Sequence, residues 1–357
     1  MNNKKLAVPR NSGRSLRKIA LLVLRTAIGI ALLIWLEKSG ALNFHAFARL
    51  WRTGPLTLGA VAILLLDFFL MSIRVWLLFR AQNLSLSLED AFHLTMTGFL
   101  FSMFLLGTAG GEVARFYYAA RQNQGKHAEI AAALLLDRLI GLLSMILLPL
   151  LFAPFLLNLI RSLSTLRRIL CLDALLALCL LLGLFVAIFF EPFRYRFWPW
   201  LKKLPALQGL WERATGTVAA YRGHRAVLLS AMILSLLANC AYIVVTGLGF
   251  YAISPASFSP RVLLVAPVGH LINALPLTPG GLGVGEAAFN ALFTAAGMHG
   301  GADALFCVRL WNAIVALAYA AIFVWGLGWR HRDTTVPGRE TGERAMIEAA
   351  QPQFDKG

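Results

Sequence analysis

Six apolar runs dominate this chain, at 19–36, 56–79, 129–153, 169–190, 227–252 and 304–329. Each is close to the about 20 residues that a helix needs to cross a hydrocarbon core about 30 Å thick. Lipid offers no hydrogen bonds to the backbone, so a spanning segment must bond its own N–H and C=O groups and is helical. Composition agrees: 59% of residues are hydrophobic and only 14% charged, against about 25% charged in soluble domains. The fold class expected is an all-α polytopic membrane protein.

Two further apolar stretches fit a simple span poorly. Residues 91–106 are few and run into "GTAGGE"; residues 262–297 are split by "LPLTPGGLGVGE", Leu275 to Glu286. Non-helical backbone at membrane depth survives only where protein or a water-filled cavity surrounds it. Pro276 and Pro279 stop a descending helix by withholding N–H donors. Gly280, Gly281, Gly283 and Gly285, with Gly110 and Gly111 in the first stretch, allow a reversal or a close approach of two backbones. These features predict six full transmembrane helices plus two re-entrant helical hairpins, with eight simple spans as the competing count. The membrane domain then covers 19–330, between a basic N-terminus at 1–18 and a polar tail, expected to be disordered, at 331–357.

The formal net charge of +16 suits a membrane surface, since anionic lipid heads attract juxtamembrane Lys and Arg. No nucleic-acid-reading motif accompanies it. With both termini inside, the six-plus-two count sends Arg115, Arg121, Lys126 and the basic loop 191–226 to the cytoplasm, as the positive-inside rule requires. That loop interleaves Tyr195, Phe197, Trp198, Trp200 and Trp211 with its cations, the pattern of an amphipathic helix in the headgroup layer. The four cysteines lie in apolar runs without ligand spacing, so no metal is expected. "GLGVG" lacks both a βαβ setting and the Lys-Ser/Thr of a nucleotide loop; no cofactor is expected.

The two irregular stretches match each other. "GFLFSMFLLGTAGGEVARF" (98–116) and "GHLINALPLTPGGLGVGEAAF" (269–289) each collapse into small residues, reach Gly-Glu and restart as helix. Each is followed by Arg-Leu inside an apolar span, giving Glu112 with Arg138 and Glu286 with Arg309. In the orientation above, 56–153 and 227–329 are inverted repeats, and paired Gly/Pro-broken segments of that kind point to a transporter's binding site. A carboxylate in the first turn of a half-helix gains about 0.3–1 kcal/mol from the dipole. Burying its charge costs about 2.5–3.5 kcal/mol even on lenient insertion scales, so a cationic partner is required.

Arg115, Arg138 and Arg309 carry the guanidinium fork that matches phosphate oxygens bidentately. They could equally form ion pairs with Glu112, Asp137 and Glu286 that hold the hairpins in register. Asp67 and Arg74 lie two turns apart on one helix face, where they would line a polar interior. His270 and Asn273 lie one turn apart on the descending arm of the second hairpin. Asn239 and Asn312 suit interhelical hydrogen bonds.

"GGEVARFYYAARQ…DRL" followed by "PGGLGVGEAAF" resembles the flippase-like membrane region of the lysylphosphatidylglycerol synthase family, also called the multiple peptide resistance factor family. The resemblance covers most of 15–330. It implies a cavity for a phospholipid headgroup, with the family motifs falling on Gly111, Glu112 and Arg115, on Asp137 and Arg138, and on Pro279, Gly280, Gly281, Gly283 and Glu286. Full-length members carry a soluble aminoacyl-transfer domain, whereas this chain ends soon after its last span. The expectation is therefore no synthase activity and a lipid flippase of a bacterial inner membrane. Its partner would be a phosphatidylglycerol-type or isoprenoid phosphate lipid. Alternatives are a scaffold for a lipid- or glycan-modifying enzyme and a membrane-embedded headgroup transferase.

Overall fold

The computed structural model describes residues 54–104, 108–189, 221, 223–255, 258–275 and 277–324, with isolated positions 34 and 38. The first apolar run (Ile34 apart), nearly all of the 191–226 loop, Pro276 and the tail at 331–357 lie outside the described residues.

Every described regular element is helical. In chain order they are α1 (Gly54–Ala81), α2 (Leu88–Phe104), α3 (Thr108–Gln122), α4 (His127–Phe152), α5 (Leu157–Ser162), α6 (Ser164–Phe189), α7 (Arg225–Ile253), α8 (Val262–Asn273), α9 (Val284–Ala295) and α10 (Gly301–Val324). Among the described residues, four stretches are long and apolar enough to cross a membrane: Gly54–Ala81, His127–Ser162, Arg225–Ile253 and Gly301–Phe323. The second of these exceeds its expected length because α4 continues through a 3-10 turn, Ala153–Leu156, into α5. Pro149 inside α4 and Pro154 in that turn lack the donors a continuous α-ladder needs. The run at 169–190 forms α6, whose first half carries Arg167, Arg168 and Asp173.

α4 is the hub, packing on α1, α3, α6, α7 and α8, while α1 lies along α7. α2 packs chiefly on α3 and α8 on α9, so each irregular stretch is a helical hairpin. Both hairpins are tied at their open ends by side chains. Asn123 accepts from the Ser85 N–H at 2.7 Å and donates to the Ser85 carbonyl at 3.0 Å, joining the start of α2 to the end of α3. Arg261 Nη1 donates to the Ala296 carbonyl at 2.8 Å, doing the same for α8 and α9. The tip of the second hairpin therefore falls at 274–283, a stretch rich in glycine and proline; residues 105–107, between α2 and α3, lie outside the described residues.

An apolar core of Phe250, Leu264, Val265, Phe289, Phe293 and Leu305 joins α7, α8, α9 and α10. Phe250 meets Phe293 edge-on at 5.1 Å between centroids. A smaller cluster gathers Leu78, Leu136, Ile140, Ala231 and Tyr221, whose buried hydroxyl donates to the Leu78 carbonyl at 2.8 Å. Outward-facing residues stay apolar, among them Leu65, Leu66 and Phe69 on α1 and Leu172, Leu175, Leu176 and Leu182 on α6. Contiguous exposed apolar faces of this kind are rare on soluble monomers and are what lipid solvates.

Lipid gives no hydrophobic drive for helix–helix contact, so close packing and polar links must supply it. Ser144 supplies one such node on α4. It shares a hydrogen with Ser235 at 2.7 Å and accepts from Asn239 Nδ2 at 2.6 Å, both on α7. Ala321–Gly357 separates as a second unit, of which residues 321–324, the end of α10, are described.

Candidate functional site: two guanidinium–carboxylate clusters at the hairpins

The second hairpin is built around a break in the helix that its own turn bonds satisfy only in part. Between α8 and α9 the backbone turns through Gly280 and Gly281, both at positive φ (61° and 68°), and Gly283 follows at φ 77°. The carbonyls of Gly280 and Gly281 thereby leave the helical ladder. Arg309, from α10, collects them: Nη1 donates to Gly280 O at 2.6 Å and Nη2 to Gly281 O at 2.9 Å. Nη2 also reaches Asn273 Oδ1 at 2.8 Å.

Glu286 enters as residue N3 of α9. Its Oε2 accepts the N–H of Gly283, the N-cap residue, at 2.8 Å, the carboxylate half of a capping box. Its Oε1 lies 2.5 Å from Arg309 Nε as an ion pair, although the N–H does not align as a hydrogen bond. Glu286 is fully buried and the Arg309 side chain only 19% exposed. Gly285 shows why the site is small-residue throughout. A Cβ there would collide with Asn273 Oδ1 and stand 2.8 Å from Arg309 Nη2.

The first hairpin carries the corresponding pair in a more open setting. Arg138 Nε donates to Glu112 Oε1 at 2.7 Å, and its Nη2 closes on the same oxygen. These side chains are 44% and 28% exposed. Beneath them lies a buried extension. Arg115 bonds Glu112 Oε1 at 3.2 Å and Asp137 Oδ2 at 3.1 Å, and Arg74 Nε bonds Asp137 Oδ1 at 2.7 Å. Arg74 Nη1 goes on to Ser235 Oγ at 2.6 Å. Asp137 thus sits between two arginines, and the cluster sets three guanidinium groups against two carboxylates. Arg115 Nε is buried without a hydrogen-bond partner. The cluster is cationic and not fully satisfied, the condition in which an anion is stabilised.

Two expectations from sequence need correction. Gly110 and Gly111 do not form the turn, because α3 has already begun at Thr108. Gly111 instead meets Gly98 of α2 so closely that a Cβ would strike the Gly98 carbonyl and Ser102 Oγ. Glu112 consequently lies one position beyond the first turn of α3, unlike Glu286, and its charge is met by Arg138 and Arg115 without a backbone cap. The four residues expected to line a cavity also separate. Arg74 joins the first cluster and Asn273 the second. His270 is enclosed between Tyr242 and Phe289, with Nε2 2.8 Å from Thr246 Oγ1. Asp67 is buried and makes no hydrogen bond or ion pair with either set among the described residues. Pro276 lies outside the described residues.

Sequence reasoning missed Ser235, Ser144 and Gly98. Only the rule that small polar residues in apolar spans face other helices could have found the two serines.

Residues 22–326 match the family described as the lysylphosphatidylglycerol synthase TM region. The chain belongs to that family. The matched stretch contains both hairpins and every paired charge described above, so the two clusters lie within the part of the chain that matches the family. Membership supports a lipid-related role in a membrane. No curated protein and no solved structure matches the chain.

Proposed function

We propose that the protein passes a lipid with a phosphate headgroup between the leaflets of a bacterial inner membrane, both its termini being cytoplasmic. One observation carries this reading. The first cluster offers an excess guanidinium at a partly exposed position, Arg138, whose hydrogen bonds among the described residues all go to Glu112. A phosphate presents the same oxygen geometry and can exchange for the Glu112 carboxylate on Arg138 and Arg115.

The second cluster supports the reading through its inequality with the first. It holds a homologous carboxylate and arginine in a closed state, with Arg309 engaged on backbone carbonyls. In this proposal the hairpins are re-entrant and the halves 56–153 and 227–329 are inverted repeats, one gate facing each leaflet. The reading contains no chemical step: the protein moves a headgroup and does not modify it. The lipid is of phosphatidylglycerol type or an isoprenoid phosphate, two headgroup classes that share the phosphate recognised here.

The test is translocation of fluorescent phosphatidylglycerol in liposomes holding the purified protein, read by chemical quenching of the outer leaflet. Wild type is expected to expose inner-leaflet probe, and Arg138→Ala and Glu112→Gln to lose most of that rate. Equal rates in all three proteins, or none above empty liposomes for several phosphate lipids, would refute the proposal.

A further inference from the structure

The buried carboxyl of Asp67 has no role in either ion-pair cluster. It lies near the middle of α1, is 6% exposed, and makes no hydrogen bond or ion pair among the described residues. Its electrostatic neighbours are Arg74, two turns along the same helix, and Tyr242 from α7. Those two neighbours lead to different clusters. Arg74 is the innermost member of the first cluster, bonded to Asp137. Tyr242 packs its ring on His270 of α8 at 4.6 Å between centroids, and its hydroxyl accepts from Asn312 Nδ2 of α10 at 3.4 Å, which ties it to the helices of the second cluster. Asp67 therefore stands at the electrostatic junction between the two sites.

An ionised carboxylate in that position is costly, and a single carboxyl is a poor metal cage: hard cations of this kind take six or more oxygens. The hydroxyl closest along α1, Ser72 Oγ, is already committed to the Phe68 carbonyl at 2.6 Å. A proton is the ligand that one buried carboxyl can hold and release. We infer that Asp67 is a proton-binding site, and that loading it favours binding of the anionic headgroup at the first cluster. This inference rests on the lipid-translocation reading.

The coupling follows from the shared arginine. With Asp67 ionised, Arg74 is divided between Asp67 and Asp137, and Asp137 leans on Arg115. With Asp67 protonated, Arg74 neutralises Asp137 alone, and Arg115 becomes available to phosphate. The carboxyl takes one proton from water on one side and gives it to water on the other; no other bond changes. Three charged or titratable groups on the packed helices have partners of their own. Asp137 and Arg138 of α4 are in ion pairs, and His93 of α2 lies 3.2 Å from the Tyr319 hydroxyl.

Two measurements test the inference. In the first, liposomes holding the full chain and fluorescent phosphatidylglycerol are given a pH difference, and the final leaflet distribution is read. For wild type a one-unit difference is expected to hold a lipid imbalance of up to about tenfold, the free-energy equivalent of one coupled proton. The imbalance is lost in Asp67→Asn and returns in Asp67→Glu. A persistent imbalance in Asp67→Asn, or no imbalance in a wild type that moves lipid, overturns the coupling. The second measurement is infrared difference spectroscopy of the protonated-carboxyl stretch through a pH titration, which needs no lipid transport. A band missing specifically in Asp67→Asn sustains the proton site even if wild type moves no lipid. Absence of any such band in wild type overturns the site itself.

Discussion

Removing Arg309 should be the most disruptive single change in the second hairpin. The substitution Arg309→Ala deletes four hydrogen bonds, to Gly280 O, Gly281 O, Asn273 Oδ1 and Glu286 Oε2, and the ion pair to Glu286 Oε1. Breaking a buried pair by removing one partner costs about 3–5 kcal/mol, because the other charge stays buried without compensation. Two carbonyls of the break lose their donor as well. Water can meet part of that need, since the Arg309–Gly280 contact is at the exposed edge of the cluster, so the ion-pair figure is the better guide. The companion is Glu286→Gln. Gln keeps an oxygen for the Gly283 N–H but needs no counter-charge. The double variant should therefore recover about half or more of the loss, a coupling of about 1–3 kcal/mol between the sites. Equilibrium unfolding in mixed micelles, scored by tryptophan fluorescence, measures all four corners of the cycle. Strict additivity, or an Arg309→Ala protein as stable as wild type, would show that the Arg309–Glu286 arrangement does not hold the hairpin.

The first cluster should behave in the opposite way. Arg138→Ala removes a pair that is 44% and 28% exposed, so stability should fall by no more than about 1 kcal/mol while retention of anionic lipid in native mass spectrometry drops sharply. Gly280→Ala and Gly285→Ala separate two uses of glycine by thermal unfolding. The first meets nothing within 4 Å but sits at φ 61°, costing about 1–2 kcal/mol. The second is helical, collides with Asn273 and Arg309, and should cost more, with loss of the Arg309 contacts. Asn123→Ala unties the base of the first hairpin from Ser85, and hydrogen exchange should rise selectively around 83–90 and the end of α3.

Much of this arrangement was legible because membrane physics leaves few options. Apolar length alone located α1, α4, α7 and α10, and the incompatibility of "PGGLG" with a helix located the second break. The pairs Glu112–Arg138 and Glu286–Arg309 followed from the cost of leaving a carboxylate in hydrocarbon uncompensated. Sequence was silent where the outcome depended on which faces meet. Nothing in "GTAGGE" distinguishes a glycine that turns the chain from one that admits a neighbouring helix, and Gly111 proved to be the latter. The tie between Arg74 and Asp137 spans 63 positions, and periodicity placed Arg74 only on a face shared with Asp67. Asn273 read as a cavity residue by position, yet its oxygen is spent on Arg309.

The difference between the two carboxylates bears on how exchange would proceed in the reading proposed above. Glu286 is held by a cap and an arginine together, and that arginine is itself committed to the broken backbone; opening this hairpin means releasing several bonds at once. Glu112 is held by arginines alone, and a phosphate arriving at Arg138 can replace each lost bond with one of the same kind. The first gate is therefore the one a headgroup can open by binding, whereas the second must be opened by rearrangement of α8 and α9. Asn273 and Arg309 link that rearrangement to α10, and Tyr242 links it to α7. A variant that weakens only the second hairpin, such as Gly285→Ala, should accordingly slow lipid movement without weakening lipid capture at the first. Equal loss of capture and movement in Gly285→Ala would mean that the two hairpins act as one site and not as successive gates.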